Sequence, residues 1–417
     1  MVGPGLTAGG RRRAPRPVLM IVHAYYEEDP RVRRQAEAIV ATGRPVTVIG
    51  LRREGDPTDT VLGGVRVRNL DVQRHQGAGL GTYLGEYLEF FARATWAAVK
   101  AHRRQRVAVV QAHSLPDFLV FAGLPLRLVG VPLLLDLHEA MPEFFRTRFP
   151  GANRPLLHRL VLLQERLSVA VSTKTITTTE AMGDRLVALG VPRDKIQIVI
   201  NSPSLARFDR GAYPRRGFRE DGRLRLIYTG ALTPTYELDV ALRALAALVT
   251  TRPELDPVLD LYGRGDSEAA LRALAAELGV ADRVTFHGRI PIDDVPAAVA
   301  NADIGIAPTR LDPFTALTIS GKVHEYAAMG KPVVASALPT VVRMFPDGAV
   351  ATYPPGDATA LTAAIVRFVD EPLERERAVA RATAVVEDAA WERASRGYLA
   401  LIERLAGDRP VGDRAQP

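Results

Sequence analysis

The chain has 417 residues, of which 47% are hydrophobic and 24% charged, and its formal net charge is +7. This length predicts about two domains rather than one core. The absence of cysteine excludes disulfides, thiolate metal sites and cysteine nucleophiles. The positive charge suits nucleic acid, anionic lipid or phosphorylated substrates. No recognition helix, zinc finger or aromatic-basic RNA-binding pattern is present, so we expect no nucleic-acid partner.

The N-terminal segment, residues 1–17, is predicted to be a disordered basic tail. Its arginines are not followed by the apolar segment of a signal peptide. No stretch approaches the roughly 20 apolar residues that cross a bilayer. We therefore expect a cytoplasmic protein.

Apolar strand-like runs alternate with helical patterns along the first half of the chain, which indicates a parallel sheet covered by helices. The predicted strands are 18–24, 45–51, 65–70, 107–113, 132–138, 173–179 and 196–201. The predicted helices are 30–42, 80–103, 117–128, 153–170 and 180–189.

The same alternation continues after a Pro-, Gly- and Arg-rich connector at 201–223. Predicted strands are 224–230, 258–263, 283–289, 304–309, 332–336 and 349–354. Predicted helices are 237–250, 268–279, 294–302, 321–329, 357–370 and 374–390. The α/β pattern thus predicts two facing Rossmann-like, doubly wound domains. Their bounds are 18–202 and 203–390, followed by a helix at 391–408 that returns to the first domain and a tail at 409–417.

The helix at 80–103 is amphipathic and runs into a basic stretch at 100–106. Such a helix can rest on lipid headgroups, which would make the protein peripheral on the cytoplasmic membrane face. The alternative, which we favour, is a core helix whose terminal cations suit its dipole.

The most compact chemical motif is SGKVHEYAAMGKPVVAS, Ser320 to Ser336. It predicts a short helix that begins at Gly321 and carries Lys322 and Glu325 three residues apart. A helix N-terminus with an adjacent lysine is suited to bind a phosphate group. The alternative is a surface Lys–Glu pair worth about 0.2–0.5 kcal/mol.

The order and spacing of several segments resemble the GT-B fold retaining glycosyltransferases of family 4 (glycosyl transferases group 1). The segments are 29–51, 109–123, 131–139, 177–208, 226–248, 259–290 and 320–336. The resemblance covers about residues 18–406. It implies an acceptor-binding first domain and a second domain that binds a nucleoside-diphosphate sugar.

Carried over residue by residue, the resemblance implies a donor site in the second domain. Lys322 would neutralise phosphate, Glu325 would bind ribose, and Arg289 and Ile290 would contact the base. The further donor-site candidates are Gly230, Gly263, Gly265, Arg310, Thr318, Ser320, Gly321 and Val323.

On the acceptor side, His113 ends a strand where the ligand crevice of an open α/β sheet is expected. Together with Lys322 it is our candidate catalytic residue. Tyr25, Asp29, Arg31, Asp117, His138 and Glu139 complete the acceptor-side set. A structural role is the alternative for each histidine.

The chain departs from the family pattern at three places. Ala231 and Tyr236 replace the usual loop arginine and lysine, and Leu317 stands where the first of two glutamates is usual. The glycine-rich turn after the first strand is replaced by residues 23–29. Arg31, Arg289, Arg310 and Lys322 are the cations that could compensate.

We therefore expect a metal-independent retaining glycosyltransferase without a cofactor, with a UDP-sugar favoured over a GDP-sugar as donor. The acceptor is left open among polysaccharide, lipid-linked and small-molecule saccharides. The alternatives are a GT-B-shaped binding or scaffold protein without turnover, and another GT-B enzyme such as a nucleotide-sugar epimerase.

Overall fold

The computed structural model describes residues 14–72, 80–148, 155–201, 204–214 and 216–407. This part of the chain contains two β-sheets with helices between the strands. None of its helices is long and apolar enough to span a membrane.

The first sheet has eight strands in the order β3-β4-β2-β1-β5-β6-β7-β8. They are β1 (Val18–Ile21), β2 (Val46–Leu51), β3 (Asp59–Leu62), β4 (Val65–Leu70), β5 (Val109–His113), β6 (Leu133–Leu137), β7 (Lys174–Thr177) and β8 (Ile196–Ile198). β1 pairs in parallel with β2 and β5, whereas β3 pairs antiparallel with β4. The chain therefore winds in both directions from β1, which makes its carboxyl end a topological switch point.

Six helices accompany these strands: α1 (Pro30–Ala41), α2 (Leu80–Arg104), α3 (Leu124–Arg127), α4 (Met141–Arg148), α5 (Pro155–Val171) and α6 (Glu180–Ala188). Local sequence explains where α1 begins, because Pro30 occupies its first position and Asp29 accepts N–H bonds from Arg31 and Val32. β1, β5 and β6 are buried along their whole length, as expected for strands covered on both faces.

The second sheet has six strands in the order β11-β10-β9-β12-β13-β14. They are β9 (Arg225–Thr229), β10 (Val258–Tyr262), β11 (Val284–Gly288), β12 (Ile304–Ala307), β13 (Val333–Ser336) and β14 (Ala351–Tyr353). Every neighbouring pair is parallel. The switch point lies between β9 and β12, so a ligand crevice is expected beyond their carboxyl ends.

Helices cover both faces of this sheet. They are α7 (Leu238–Thr251), α8 (Glu268–Glu277), α9 (Val295–Ala300), α10 (Gly321–Ala328), α11 (Pro339–Met344), α12 (Ala358–Asp370) and α13 (Pro372–Asp388), after which the chain continues into α14 (Trp391–Ala406). One apolar cluster lies under α7 and α12, and another lies under α10 and α13. The predicted α/β class with two parallel sheets is confirmed.

By contact density the chain divides into two compact units. One comprises the residues up to Leu134 together with those from Leu399, and the other is Leu135–Tyr398. In the first unit, Arg16 donates from Nη2 to the carbonyl of Ala406 at 2.9 Å, so the end of α14 contacts the segment before β1. The rest of the predicted tail at 1–13, and the predicted tail at 409–417, lie outside the described residues.

One local prediction was wrong, and three elements were not predicted. Residues 117–128 form a 3₁₀ helix, Asp117–Gly123, followed by the short α3 rather than one α-helix. The edge strand β3, α4 and α11 were not predicted. β3 is short and exposed, and it lacks the apolar face from which strands are recognised. Pro125, in the first turn of α3, explains why residues 117–128 do not form one helix, because proline interrupts a continuous helical pattern.

Candidate functional site

The crevice at the switch point of the second sheet collects most of the predicted donor-site residues. Gly230 follows β9, Gly263 follows β10 and Gly288 ends β11, all at the same edge of the sheet. The segment after β12 leads through a 3₁₀ turn, Thr315–Leu317, into α10. These loops and the start of α10 form the candidate site.

The loops after β9 and β10 are hydrogen-bonded to each other along their backbones. The N–H of Gly230 donates to Tyr262, and the N–H of Leu232 donates to Arg264, at 2.8 and 3.0 Å. A Cβ on Gly263, whose φ is +150°, would lie 1.8 Å from the Gly230 carbonyl oxygen. Only glycine allows this approach, so Gly230 and Gly263 shape the crevice rather than act chemically.

Helix α10 is attached to β9 and β12 through Tyr326. The Tyr326 hydroxyl accepts the Thr229 N–H at 2.8 Å, and its ring lies where a side chain on Gly305 would be. The ring of Tyr326 is fully buried. This packing fixes the N-terminus of α10, and with it Lys322, at the edge of the crevice.

Lys322 is buried beside two tyrosines. Its Nζ lies 3.7 Å from the ring centroid of Tyr236 and 4.8 Å from that of Tyr228, and it donates to Ser320 Oγ at 2.9 Å. The Tyr228 hydroxyl is directed to the Ala231 carbonyl at 2.7 Å, which holds the ring in place. The alternative of a solvated surface pair is wrong for Lys322, because its side chain is not in solvent.

Burial lowers the pKa of Lys322 from 10.5 to about 7, although the nearby Glu325 carboxylate favours the charged form. The electron-rich ring faces also favour the ammonium, but they do not replace its lost hydration. An anion that enters the crevice would supply the missing counter-charge. Burial also raises the pKa of Tyr236 to about 12, with Glu139 acting in the same direction.

The first turn of α10 lies next to this lysine. Ser320 is the N-cap residue but its hydroxyl makes no capping bond, because it accepts from Lys322 instead. Glu325 is half-buried and its carboxylate lies close to Gly321, where a Cβ would be 3.8 Å from Oε1. The Thr318 carbonyl accepts from Thr340, and Val323 is buried in the apolar cluster under α10.

The other predicted cations lie in different surroundings. Arg310 is exposed, its Nε lies 3.9 Å from Glu237, and its backbone N–H donates to Thr235. Glu237 is buried and accepts the N–H of Gly356 at 2.7 Å. Arg289 is exposed just after β11, and Ile290 beside it is half-buried. Among these cations Lys322 is therefore the buried one.

The predicted acceptor-side residues near α1 have structural partners. Asp29 caps α1 and pairs with the Arg31 guanidinium at 3.1 Å. Arg31 is thus already neutralised locally. Arg53 lies over the ring of Tyr25, 4.7 Å from its centroid.

The predicted histidines end neighbouring strands of the first sheet. His113 is the last residue of β5 and is buried, and Asp117 is buried at the start of the 3₁₀ helix that follows. His138 follows β6 and its Nε2 lies 3.1 Å from Asp136. Glu139 comes next and is half-buried. Of these residues, Glu139 lies near enough to the second-sheet crevice to raise the pKa of Tyr236.

The two tyrosines beside Lys322 were missed as site residues. Tyr236 was noted only as the replacement of a cation, and Tyr228 not at all. The signal was present, since an aromatic residue stands where a loop cation is usual and a lysine stands at the start of the facing helix.

Two family profiles match the chain. Residues 29–202 match the glycosyl transferase 4-like domain, and residues 223–371 match glycosyl transferases group 1. Together the two matches contain nearly all strands of both sheets.

A named relative is the D-inositol 3-phosphate glycosyltransferase of Acidothermus cellulolyticus, 29% identical over 67% of this chain. The match spans 63% of that relative's length.

Among solved structures, sucrose-phosphate synthase from Thermosynechococcus elongatus superposes with a TM-score of 0.76 at 18% identity. That match covers 94% of this chain and 99% of the other. The Anabaena protein HepE, solved with UDP and glucose, has a TM-score of 0.70 at 15% identity, with coverage of 93% and 100%. At these identities the structures establish a common fold.

Proposed function

Because the chain belongs to the glycosyl transferases group 1, with a glycosyl transferase 4-like domain before it, we propose that it is a retaining glycosyltransferase. It moves a sugar from a nucleoside-diphosphate sugar to an acceptor hydroxyl and needs no metal ion. The observation that carries the proposal is Lys322, a buried cation at the N-terminus of α10 beside a glycine-lined crevice.

The diphosphate is the part of the donor that this crevice suits best. The first N–H groups of α10 and the Lys322 ammonium would face its negative charge. The same groups would stabilise the departing diphosphate, where charge develops as the glycosidic bond breaks. Cationic and helix-dipole stabilisation of this kind takes the role that a divalent metal has in other transferases.

The ribose and base are assigned to neighbouring positions. Glu325, with its carboxylate near Gly321, would accept hydrogen bonds from ribose hydroxyls. Arg289 and Ile290, just beyond β11, would contact the base. We favour UDP over GDP, and the bound UDP of the structurally similar Anabaena protein supports this choice.

The transfer step balances without an external base. The bond between the sugar C1 and the diphosphate oxygen breaks, and a bond from C1 to the acceptor oxygen forms on the same face. The acceptor proton passes to the departing phosphate oxygen. The products are a nucleoside diphosphate and a glycoside with the donor's anomeric configuration. His113, at the end of β5, would position sugar or acceptor.

The acceptor remains among saccharide, lipid-linked and small-molecule alcohols. The similar protein from Acidothermus cellulolyticus is named for inositol 3-phosphate, and a phosphorylated acceptor suits the net charge of +7. Phosphorylated cyclitols therefore belong in the first acceptor screen.

A second candidate is a nucleotide-sugar-binding protein without turnover. It is favoured by Ala231, Tyr236 and Leu317, which stand where the family usually has two cations and a glutamate. In this case nucleotide would bind but no sugar would be transferred or hydrolysed.

Thermal-shift measurements with UDP, GDP, ADP and TDP test the donor site first. A ligand at about 100 times its Kd adds about 2.7 kcal/mol to the stability of the folded state. Glu325→Ala should reduce the shift and leave the unligated melting temperature unchanged. Glu277→Ala, at an exposed position in α8, is the matched control.

Incubation with the corresponding nucleotide-sugar then separates the candidates. Slow hydrolysis, or transfer with retained anomeric configuration by NMR, supports the transferase. A nucleotide shift without either reaction favours the binding protein, and an epimerised sugar would identify an epimerase. If none of the nucleotides raises the melting temperature, the proposed donor site is wrong.

A further inference from the structure

Helix α5 carries a stripe of leucines that are exposed in the described part of the chain. Leu156, Leu160, Leu163 and Leu167 are 69%, 52%, 51% and 51% exposed. Their spacing of four, three and four residues places them within about 60° of arc at 3.6 residues per turn. The stripe extends about 16 Å along the helix. This clustering on one line is the feature to be explained, since isolated exposed leucines are ordinary.

The opposite face of α5 fixes this orientation. Glu165 is buried and accepts two hydrogen bonds at 3.0 Å from Arg185 Nη1, while Arg185 Nε donates to Glu143 at 2.7 Å. Ser168 and Val169 are buried as well. Rotating α5 to hide the leucines would expose these groups and break a buried ion pair, which is costly. The buried contacts on the opposite face of α5 therefore hold the leucine stripe toward solvent.

The exposed charged residues of α5 are all positive. Arg159 and Arg166, seven residues apart, are exposed along one side of the stripe. The single acidic residue of Pro155–Val171 is Glu165, which points away and is paired with Arg185. The exposed face thus combines leucines with cations and has no carboxylate.

We propose that the outer face of α5 docks the protein on an anionic lipid surface. Leucines that enter the headgroup boundary and arginines that pair with lipid phosphates match the chemistry of interfacial helices. Charge complementarity argues against a second copy as the occupant, because self-association would bring Arg159 and Arg166 against a face that offers no acid. This docking surface is distinct from α2, the helix that the sequence suggested, and it does not depend on the proposed function.

Flotation of the full chain with vesicles tests the proposal. We expect binding to phosphatidylcholine vesicles that contain 30% phosphatidylglycerol and much weaker binding to phosphatidylcholine alone. Arg159→Gln with Arg166→Gln should lower the partition coefficient on anionic vesicles by about tenfold or more, since each cation near such a surface contributes about 1 kcal/mol. Raising the salt should weaken wild-type binding through screening.

The leucine contribution is tested separately. Relative to the wild type, the double variant Leu160→Gln with Leu163→Gln should bind anionic vesicles at least about tenfold more weakly. The control Leu373→Gln, at a position 70% exposed on α13, should bind them as the wild type does. All of these positions are exposed, so melting temperatures should match the wild type. In Leu163→Trp the fluorescence should shift to the blue on adding anionic vesicles, and in Leu373→Trp it should not.

Three outcomes would overturn the proposal. One is the absence of wild-type binding to anionic vesicles at low salt. Another is binding that survives the α5 variants but is lost in Leu84→Gln with Leu88→Gln, which are exposed on α2. The third is a concentration-dependent dimer that the α5 leucine variants abolish, which would assign the face to a second copy.

Discussion

The Nζ of Lys322 lies 3.7 Å from the ring centroid of Tyr236. Tyr236 belongs to the loop after β9, and Lys322 to the first turn of α10. The pair therefore joins the two elements that border the switch point of the second sheet. It places a partly desolvated cation where a diphosphate would be bound.

The depressed pKa of Lys322 gives the unfolding free energy a characteristic pH dependence. Between about 7 and 10.5 the unfolded chain binds this proton and the folded protein does not. Stability from this group therefore rises with pH across that window, by up to about 1.4 kcal/mol per unit. The unfolding free energy of the wild type minus that of Lys322→Met, both measured by urea denaturation, should increase by about 1–2 kcal/mol from pH 7.5 to 9. Lys174→Met, partly exposed on β7, should retain the wild-type slope, and equal slopes in all three proteins would contradict the shift.

Nucleotide binding should take up a proton at Lys322. A bound diphosphate stabilises the ammonium and raises its pKa, so UDP affinity should fall as pH rises from 7 to 9. The ligand's own phosphate is already ionised there. Calorimetry at pH 8 in buffers of different ionisation enthalpy measures the uptake directly. Lys322→Met should bind without uptake, and a wild type that takes up no proton would place the diphosphate elsewhere.

A lysine returned to the loop should compensate for the loss of the lysine on α10. Lys322→Met removes a charge-assisted contact worth about 1.5–3 kcal/mol, so UDP affinity should drop tenfold or more. Adding Tyr236→Lys to that variant restores a cation on the facing side of the crevice and should recover part of the affinity. Thr251→Lys in the same background, at an exposed site in α7, controls for net charge. Equal recovery by both lysines would show a general charge effect.

Because Gly263 lies so close to the Gly230 carbonyl, replacing Gly263 should destabilise the protein. In Gly263→Ala the new methyl would lie 1.8 Å from a carbonyl oxygen, so the loops after β9 and β10 must separate. We expect a loss of about 3 kcal/mol or more in unfolding free energy, and weaker UDP binding. Gly279→Ala also has positive φ, +68°, but no heavy atom within 4 Å, and should cost only about 1–2 kcal/mol.

Much of the fold was predictable from the sequence because both sheets are mostly parallel and their central strands are continuous apolar runs. β1, β5 and β6 are buried on both faces, so their residues carry a strong local signal. β3 is different, since its pattern is mostly exposed and it pairs only at the sheet edge. β3 forms because it pairs with β4, and the local sequence pattern does not predict that pairing.

The candidate site was predictable in part. The helix start at Gly321 and the glycine after β10 follow from local chemistry, the glycine after β9 follows from the family resemblance, and all three border the same crevice. Whether Lys322 is buried, and against what, depends on packing between elements about 90 residues apart. Tyr326, on the same helix, sets that packing through Thr229 and the space left by Gly305, and these partners belong to other elements.

The hydrogen bond from Arg16 to Ala406 joins residues 390 positions apart within one compact unit. During synthesis, the strands from β1 to β5 emerge long before the segment from Leu399 that belongs to the same unit. Domains that are continuous in sequence generally fold as they leave the ribosome, whereas this unit can complete its contacts only after the residues between Leu134 and Leu399 have been made. The pairing of β1 with β2 and β5 can therefore precede the hydrogen bond between Arg16 and Ala406.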